Sequence, residues 1–319
     1  MLGRMSATPD VVCLGILVAD AIARPVDSLP AAGTLALVDE ISLRGGGCAL
    51  NTATGLVRLG LSTAVVGKVG FDAFGDFVLG LLDERGIDRR GVIRDPVAAT
   101  SATVVLVDSA GERTFLHLPG ANGRLREAEL DLEAVLAGRA LHVAGSLVLT
   151  ELDGEPTARI LARARERGVV TALDTVYDAS GMWKRVYPAL PHLDLLTPGI
   201  AEGRAISGEH EPRRVAAWFR ERGVGAVALT MGAGGCYVAG DDFEGAIEPM
   251  AVRAIDGTGA GDAFAAGLIY GTLAGWGLER SARLANALGA LAVTAVGAVE
   301  GVPLLERALS FAGLDGEPG

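Results

Sequence analysis

Cysteine is scarce in this chain. Its three copies, Cys13, Cys48 and Cys236, are odd in number, widely spaced and free of any C-x-x-C, which argues against a disulfide framework or a zinc site and for a reducing, cytoplasmic compartment. Four histidines (His117, His142, His192, His210) are scattered without ligand spacing, so each reads as a structural or surface residue. No apolar run reaches the roughly 20 residues that a bilayer span needs, and the two longest, around 263–274 and 285–299, read as buried helices. Arg4 ahead of the apolar run 11–22 suggests a secretory signal, but Pro9 and Asp10 precede that run and Asp20 interrupts it. Basic residues are outnumbered 28 to 39, giving a formal net charge of −11. That balance argues against a general nucleic-acid or acidic-membrane binder, although an acidic protein can still hold a nucleotide in a locally positive pocket.

Several chemistries also lack their anchor. No G-x-x-x-x-G-K-[ST] occurs, and the stretch from Gly60 to Lys68 has the wrong spacing for one. The first strand is not followed by G-x-G-x-x-G; Leu14-Gly15-Ile16 offers a single glycine, so a dinucleotide-binding reductase is unsupported. The absence of G-x-S-x-G leaves acyl transfer without a nucleophile elbow.

What is present is a chain of 319 residues, half of them apolar and 45 of them glycine, long enough for one large α/β domain spanning 1–319. The run 11–17 is continuously apolar, as in a strand covered on both faces. Strands are also expected at 62–69, 141–144, 169–174, 193–196 and 226–231. Helices are expected in 44–60 and at 74–85, 156–167, 213–222, 263–274 and 279–296. Such alternation predicts a three-layer α/β/α body around a mainly parallel sheet. Two excursions break the pattern, at about 18–44 and 98–122: a partly alternating strand at 34–43, and a hairpin of 102–108 and 113–117 around S-A-G-E. Together they predict a small β-sheet lid. The last residues, 315–319, are expected to fray.

Two glycine-rich turns each open a helix. In A-I-D-G-T-G-A-G-D-A-F-A-A-G-L (254–268) the glycines let the backbone approach a ligand, and the first helical N–H groups with the dipole behind them form an anion site. Gly259, Ala260 and Gly261 can therefore hold a phosphoryl group, with Asp262 taking a proton from an attacking hydroxyl. Asp262 can equally be a helix cap, and the fragment alone leaves both readings open. In R-G-G-G-C-A-L-N-T-A-T-G-L-V-R-L-G (44–60) the amide of Asn51 lies early in the helix. Asp20, just past the first strand, sits where open α/β sheets bind ligands and can accept hydrogen bonds from hydroxyls, or it is a turn aspartate before Pro25.

G-G-C-A-L-N-T-A with L-V-R-L-G, and D-G-T-G-A-G-D-A-F-A-A-G, resemble the two signature stretches of the ribokinase-like carbohydrate kinases, the PfkB family, and the likeness runs through most of the chain. The resemblance implies ATP- and Mg²⁺-dependent phosphorylation of a hydroxyl on a small sugar. Asp262 then inherits the role of base, with Gly259, Ala260 and Gly261 as the anion hole. Asp20, Gly46, Gly47 and Asn51 inherit sugar contacts. Thr230, Gly232 and Asn286 inherit the nucleotide site, Glu202 an indirect part in Mg²⁺ handling, and Asp256 with Thr258 a monovalent cation such as K⁺. Two departures stand out: Gly199 replaces the asparagine of N-x-x-E, and D-T-V-Y-D (174–178) lacks the asparagine and arginine of D-x-N-x-R. Cys48 also stands where ribokinases proper often carry lysine. Competing readings are a nucleoside kinase of the same superfamily and a non-catalytic nucleotide- or sugar-binding regulator. Exposed edges of the lid strands predict a homodimer through the lids.

Overall fold

The computed structural model describes residues 8–315. In order, the chain forms β1 (Val11–Gly15), β2 (Val18–Arg24), β3 (Glu40–Gly46), α1 (Cys48–Arg58), β4 (Thr63–Gly70), α2 (Ala73–Glu84), β5 (Asp88–Asp95), β6 (Ala102–Val107) and β7 (Arg113–Leu118). It continues through α3 (Leu132–Val135), β8 (Ala140–Ser146), α4 (Glu155–Glu166), β9 (Val170–Thr175), β10 (Leu195–Leu196), α5 (Ile200–Ser207), α6 (Pro212–Arg220), β11 (Ala226–Thr230), β12 (Cys236–Ala239) and β13 (Glu244–Ile247). Three helices close it: α7 (Ala260–Leu273), α8 (Leu278–Ala292) and α9 (Leu305–Phe311).

Nine strands make the main sheet in the order β13-β12-β11-β10-β9-β8-β1-β4-β5. All neighbours are parallel except β12 and β13, which return antiparallel at one edge. Every residue of β1 and β8 is buried, as expected for strands with helices on both faces. The order reverses at β1: β4 and β5 lie to one side and the later strands to the other. Ligands of open α/β sheets bind at the carboxyl ends of strands beside such a reversal. The helix openings α1 and α7 meet there, packed against each other.

The second sheet has the order β3-β2-β6-β7. Successive side chains of a strand alternate between its faces. Asp20, Arg44, Thr103 and Arg113 look into a cavity shared with the main body. The opposite face carries Ala21, Ala23, Ile41, Leu43, Val104, Leu116 and Leu118, with Ile41, Leu116 and Leu118 each at least half exposed.

Two expectations need correction. The strand expected at 34–43 starts only at Glu40, because its partner strand ends at Arg24 and Pro25 has no N–H to continue the ladder. The stretch just past β1 is itself a strand, β2, which pairs with both β3 and β6. Arg4 and residues 316–319, of the expected frayed end, lie outside the described residues.

Candidate active site

Gly259 sets the geometry of the second glycine turn. Its φ is +77°, and a Cβ there would stand 2.0 Å from the carbonyl oxygen of Ala298, so only glycine fits. The first regular bond of α7 runs from the Ala263 N–H to the Gly259 carbonyl at 2.9 Å. The amides of Gly261 and Asp262 come before it, at the positive end of the helix dipole.

Asp262 does not cap its helix: the cap position is Gly259, and no side chain bonds to the helix start. Its carboxylate, 8% exposed, instead accepts a hydrogen bond from Asn51 Nδ2 at 2.8 Å. The two glycine-led helices are thus joined through Asn51 and Asp262, and the capping alternative falls away.

The turn is also a partition. On one side lies a cavity of about 450 Å³ lined by Asp20, Gly47, Asn51, Gly259 and Asp262, roofed by the small sheet. Gly46 stands behind Asp20, whose Oδ2 comes within 2.2 Å of where a Gly46 Cβ would be; any larger residue would displace that carboxylate. On the other side lies a cavity of about 500 Å³ lined by Thr230, Gly232, Ala260, Gly261 and Asn286, with Met250, Val252, Phe264 and Val293 as apolar walls. Asn286 Nδ2 donates to the Glu248 carbonyl at 2.8 Å, which orients the amide. The residues expected on the sugar side and on the nucleotide side therefore fall into two separate cavities, with Asp262 at their boundary.

Burial raises the pKa of Asp262, an effect partly opposed by hydrogen bonds from Asn51 and Cys48. Behind it, Asp174 at the end of β9 is pushed well above the carboxylate range, first by burial and then by the charge of Asp262. The Asp174 carboxylate accepts the Gly145 N–H at 2.6 Å. One ligand atom each from Cys48, Asp174 and Asp262 lie within 4.8 Å of one another. Desolvation, with the two carboxylates beside it, keeps Cys48 a thiol rather than a thiolate. No motif signals this depth of buried charge, because Asp174 and Cys48 stand where the chain departs from the family pattern. Asp20 is likewise raised by burial, with a hydrogen bond from Thr103 opposing it. His142 is buried with its Nε2 3.8 Å from Asp174, and desolvation pushes its pKa down to about 4, so it stays neutral.

Glu202 lies in the first turn of α5. Its Oε2 accepts from the Thr175 hydroxyl at 2.6 Å and the Gly199 N–H at 2.9 Å, and burial raises its pKa. Gly199, where the family asparagine was missing, thus serves as the cap of this helix. Asp256 accepts from the Thr258 N–H and hydroxyl through one oxygen and from the Gly297 N–H through the other. Arg113, reaching down from β7, bonds to both Asp256 and Thr258. A guanidinium therefore stands at the carboxylate expected to receive a monovalent cation. No motif pointed to Arg113, because its role depends on the small sheet folding over the turn.

Comparison with known proteins gives the family and the fold. The model for the pfkB family of carbohydrate kinases matches residues 8–305. The 2-dehydro-3-deoxygluconokinase of Bacillus subtilis is 30% identical over 88% of this chain and 90% of its own length. Fructokinase-2 of Oryza sativa is 28% identical over 81% and 82%. Two solved structures share the fold: Arabidopsis thaliana ribokinase complexed with ribose and ATP (TM-score 0.82, 24% identity, covering 96% of this chain and 99% of that one) and an Escherichia coli chain in complex with ATP and Mg²⁺ (TM-score 0.83, 25%, covering 96% and 99%).

Proposed function

We propose that this chain, which belongs to the pfkB family of carbohydrate kinases, moves the γ-phosphate of ATP onto a sugar hydroxyl with Asp262 as the general base. The observation that carries the reading is the position of Asp262, buried at the boundary between two cavities and held by Asn51. A base must reach the proton it takes, and Asp262 lines the cavity assigned to the acceptor, while Ala260 and Gly261 just before it line the other.

The sugar sits against Asp20, Gly47 and Asn51, with Gly46 leaving room behind the Asp20 carboxylate, and the nucleotide against Thr230, Gly232 and Asn286. As the sugar oxygen attacks phosphorus in line, its proton passes to Asp262 and the bond to the leaving ADP oxygen breaks. The N–H groups around Gly259, Ala260 and Gly261 meet the charge that collects on the phosphoryl oxygens. Each such donor is typically worth about 10²–10³ in rate. A base of this kind contributes about 10²–10⁴. Glu202 fits Mg²⁺ chemically, since hard carboxylate oxygens suit that ion and both of its hydrogen bonds fall on Oε2. When bound, the ion neutralises phosphate charge.

The four strands of the small sheet come from the two excursions expected at about 18–44 and 98–122, with β3 running on to Gly46, which supports reading it as a lid on one domain of 1–319. Closure would keep water from competing as acceptor. The apolar outer face of that sheet supports a homodimer through the lids. A monovalent cation such as K⁺ at Asp256 and Thr258 would share that carboxylate with Arg113. The absence of a membrane-crossing helix among the described residues is compatible with a cytoplasmic enzyme.

The test is ADP release with fructose, ribose, 2-keto-3-deoxygluconate, inositol and adenosine as acceptors. Turnover with a sugar supports the reading. Turnover with adenosine alone would make the chain a nucleoside kinase, and binding of ATP and sugar without ADP would make it a regulator.

A further inference from the structure

Asp256 is the hub of the turn that leads into the phosphoryl cradle. Its Oδ1 accepts the Thr258 N–H at 2.9 Å and the Thr258 hydroxyl at 2.7 Å, and its Oδ2 accepts the Gly297 N–H at 3.0 Å. Thr258 precedes Gly259. Gly297 precedes Ala298, whose carbonyl oxygen stands 2.0 Å from where a Gly259 Cβ would be. One carboxylate therefore ties together the two segments that fix Gly259 in its left-handed conformation. Burial raises the pKa of Asp256, but these donors and the charge of Arg113 outweigh it and hold the group below the ordinary value. It is an anion, and an anion beside a phosphate site opposes the phosphate unless a cation neutralises it.

Two cations can do so: K⁺ from solution, or one that belongs to the chain. Arg113 Nη1 bonds both Asp256 Oδ1 and the Thr258 hydroxyl oxygen. That hydroxyl gives its one hydrogen to Asp256, which leaves its lone pairs for the guanidinium. The two side chains of the ion pair are 30% and 12% exposed, so water and salt screen it less than a surface pair. Oδ1 thus already accepts from Thr258 and Arg113, and a K⁺ brought to it would meet a like charge. Arg113 stands on β7 in the hairpin that helps roof the acceptor cavity, so its charge arrives at the turn together with the small sheet. We propose that Arg113 takes the place of a monovalent cation: its guanidinium neutralises Asp256 and braces the Gly259 turn, so that the enzyme turns over without K⁺ and completes its phosphoryl cradle as the small sheet comes down. The proposal rests on the kinase reading above. Arg113 acts through Asp256 and Thr258 and is a positioning residue.

The experiment takes the full-length parent, Arg113→Lys and Arg113→Ala, each in tetramethylammonium chloride or in KCl at equal ionic strength. Parent turnover and parent melting temperature should be the same in both salts. Without K⁺, Arg113→Ala should lose about 10-fold or more in kcat, since small displacements of positioned groups cost that much. KCl, or guanidinium at a non-denaturing concentration, should return most of it. The acceptor KM of that variant should stay high throughout, because a free ion restores the charge and not the tie to β7. KCl should also raise the melting temperature of Arg113→Ala, as an ion bound only by the folded state does, which is a readout independent of catalysis. Arg113→Lys keeps the charge, should stay indifferent to KCl in both measurements, and controls for folding. A parent that needs K⁺, or an Arg113→Ala whose kcat or melting temperature ignores KCl, overturns the proposal. If no acceptor is turned over, the kinase reading fails, and the melting curves with and without Arg113 still decide the cation position.

Discussion

Replacing Asp262 with asparagine should separate activity from stability. The side chain keeps its size, and its amide can still pair with Asn51, so the cavity retains its shape. What disappears is the proton acceptor, and kcat should fall by about 10²–10⁴. ATP affinity should hold, since Thr230, Gly232 and Asn286 lie in the other cavity. The same change removes one carboxylate of the buried Asp174–Asp262 pair. Both Asp262 and Asp174 have folded-state pKa values raised above the ordinary 3.8. The folded state therefore holds protons that the unfolded chain has released, and stability is lost as pH rises from that ordinary value through the raised ones. In Asp262→Asn that loss is relieved, so the variant should melt higher than the parent at pH 8, by at least about 2 °C, and the gain should shrink towards pH 4. Kinetics with ADP detection and melting curves at pH 4, 6 and 8 measure both. In the parent, kcat should rise with pH through a limb above the normal aspartate range, and the variant should lack that limb. Turnover within about 10-fold of the parent, or a variant that melts below the parent at pH 8, would refute the reasoning.

Further outcomes follow from the same geometry. Gly259→Ala should destabilise the chain by about 1–3 kcal/mol and abolish most turnover, because its Cβ would collide with the Ala298 carbonyl in a left-handed backbone; chemical denaturation and kcat check this. Arg113→Gln should raise the acceptor KM several-fold with ATP binding unchanged, since it frees the small sheet from Asp256 and Thr258. Light scattering should give twice the 32.6 kDa chain mass, and Leu116→Asp on the apolar outer face should return it to the monomer.

Local signals carried much of this fold. β1 shows as an unbroken apolar run, and α1 and α7 start where glycine gives way to apolar residues. The β6–β7 hairpin stands out by its alternation. Other elements depend on partners distant in the chain. β2 contains three alanines and is followed by Pro25, so nothing local marks it as the strand that β3 and β6 both need. β5, D-R-R-G-V-I-R-D, is an edge strand and correspondingly polar. In the site, Asp262 and Asn51 were visible because each sits in a glycine-led helix start. Asp174 and Arg113 were not, because one approaches from the end of a separate strand and the other from the roof.

The most direct test is a crystal structure of the complex with the preferred acceptor and a non-hydrolysable ATP analogue. The account predicts the acceptor hydroxyl within about 2.6–3.2 Å of an Asp262 oxygen, and the terminal phosphate at the amides of Gly259–Gly261. An acceptor bound away from Asp262, or a phosphate held elsewhere than that turn, would contradict it.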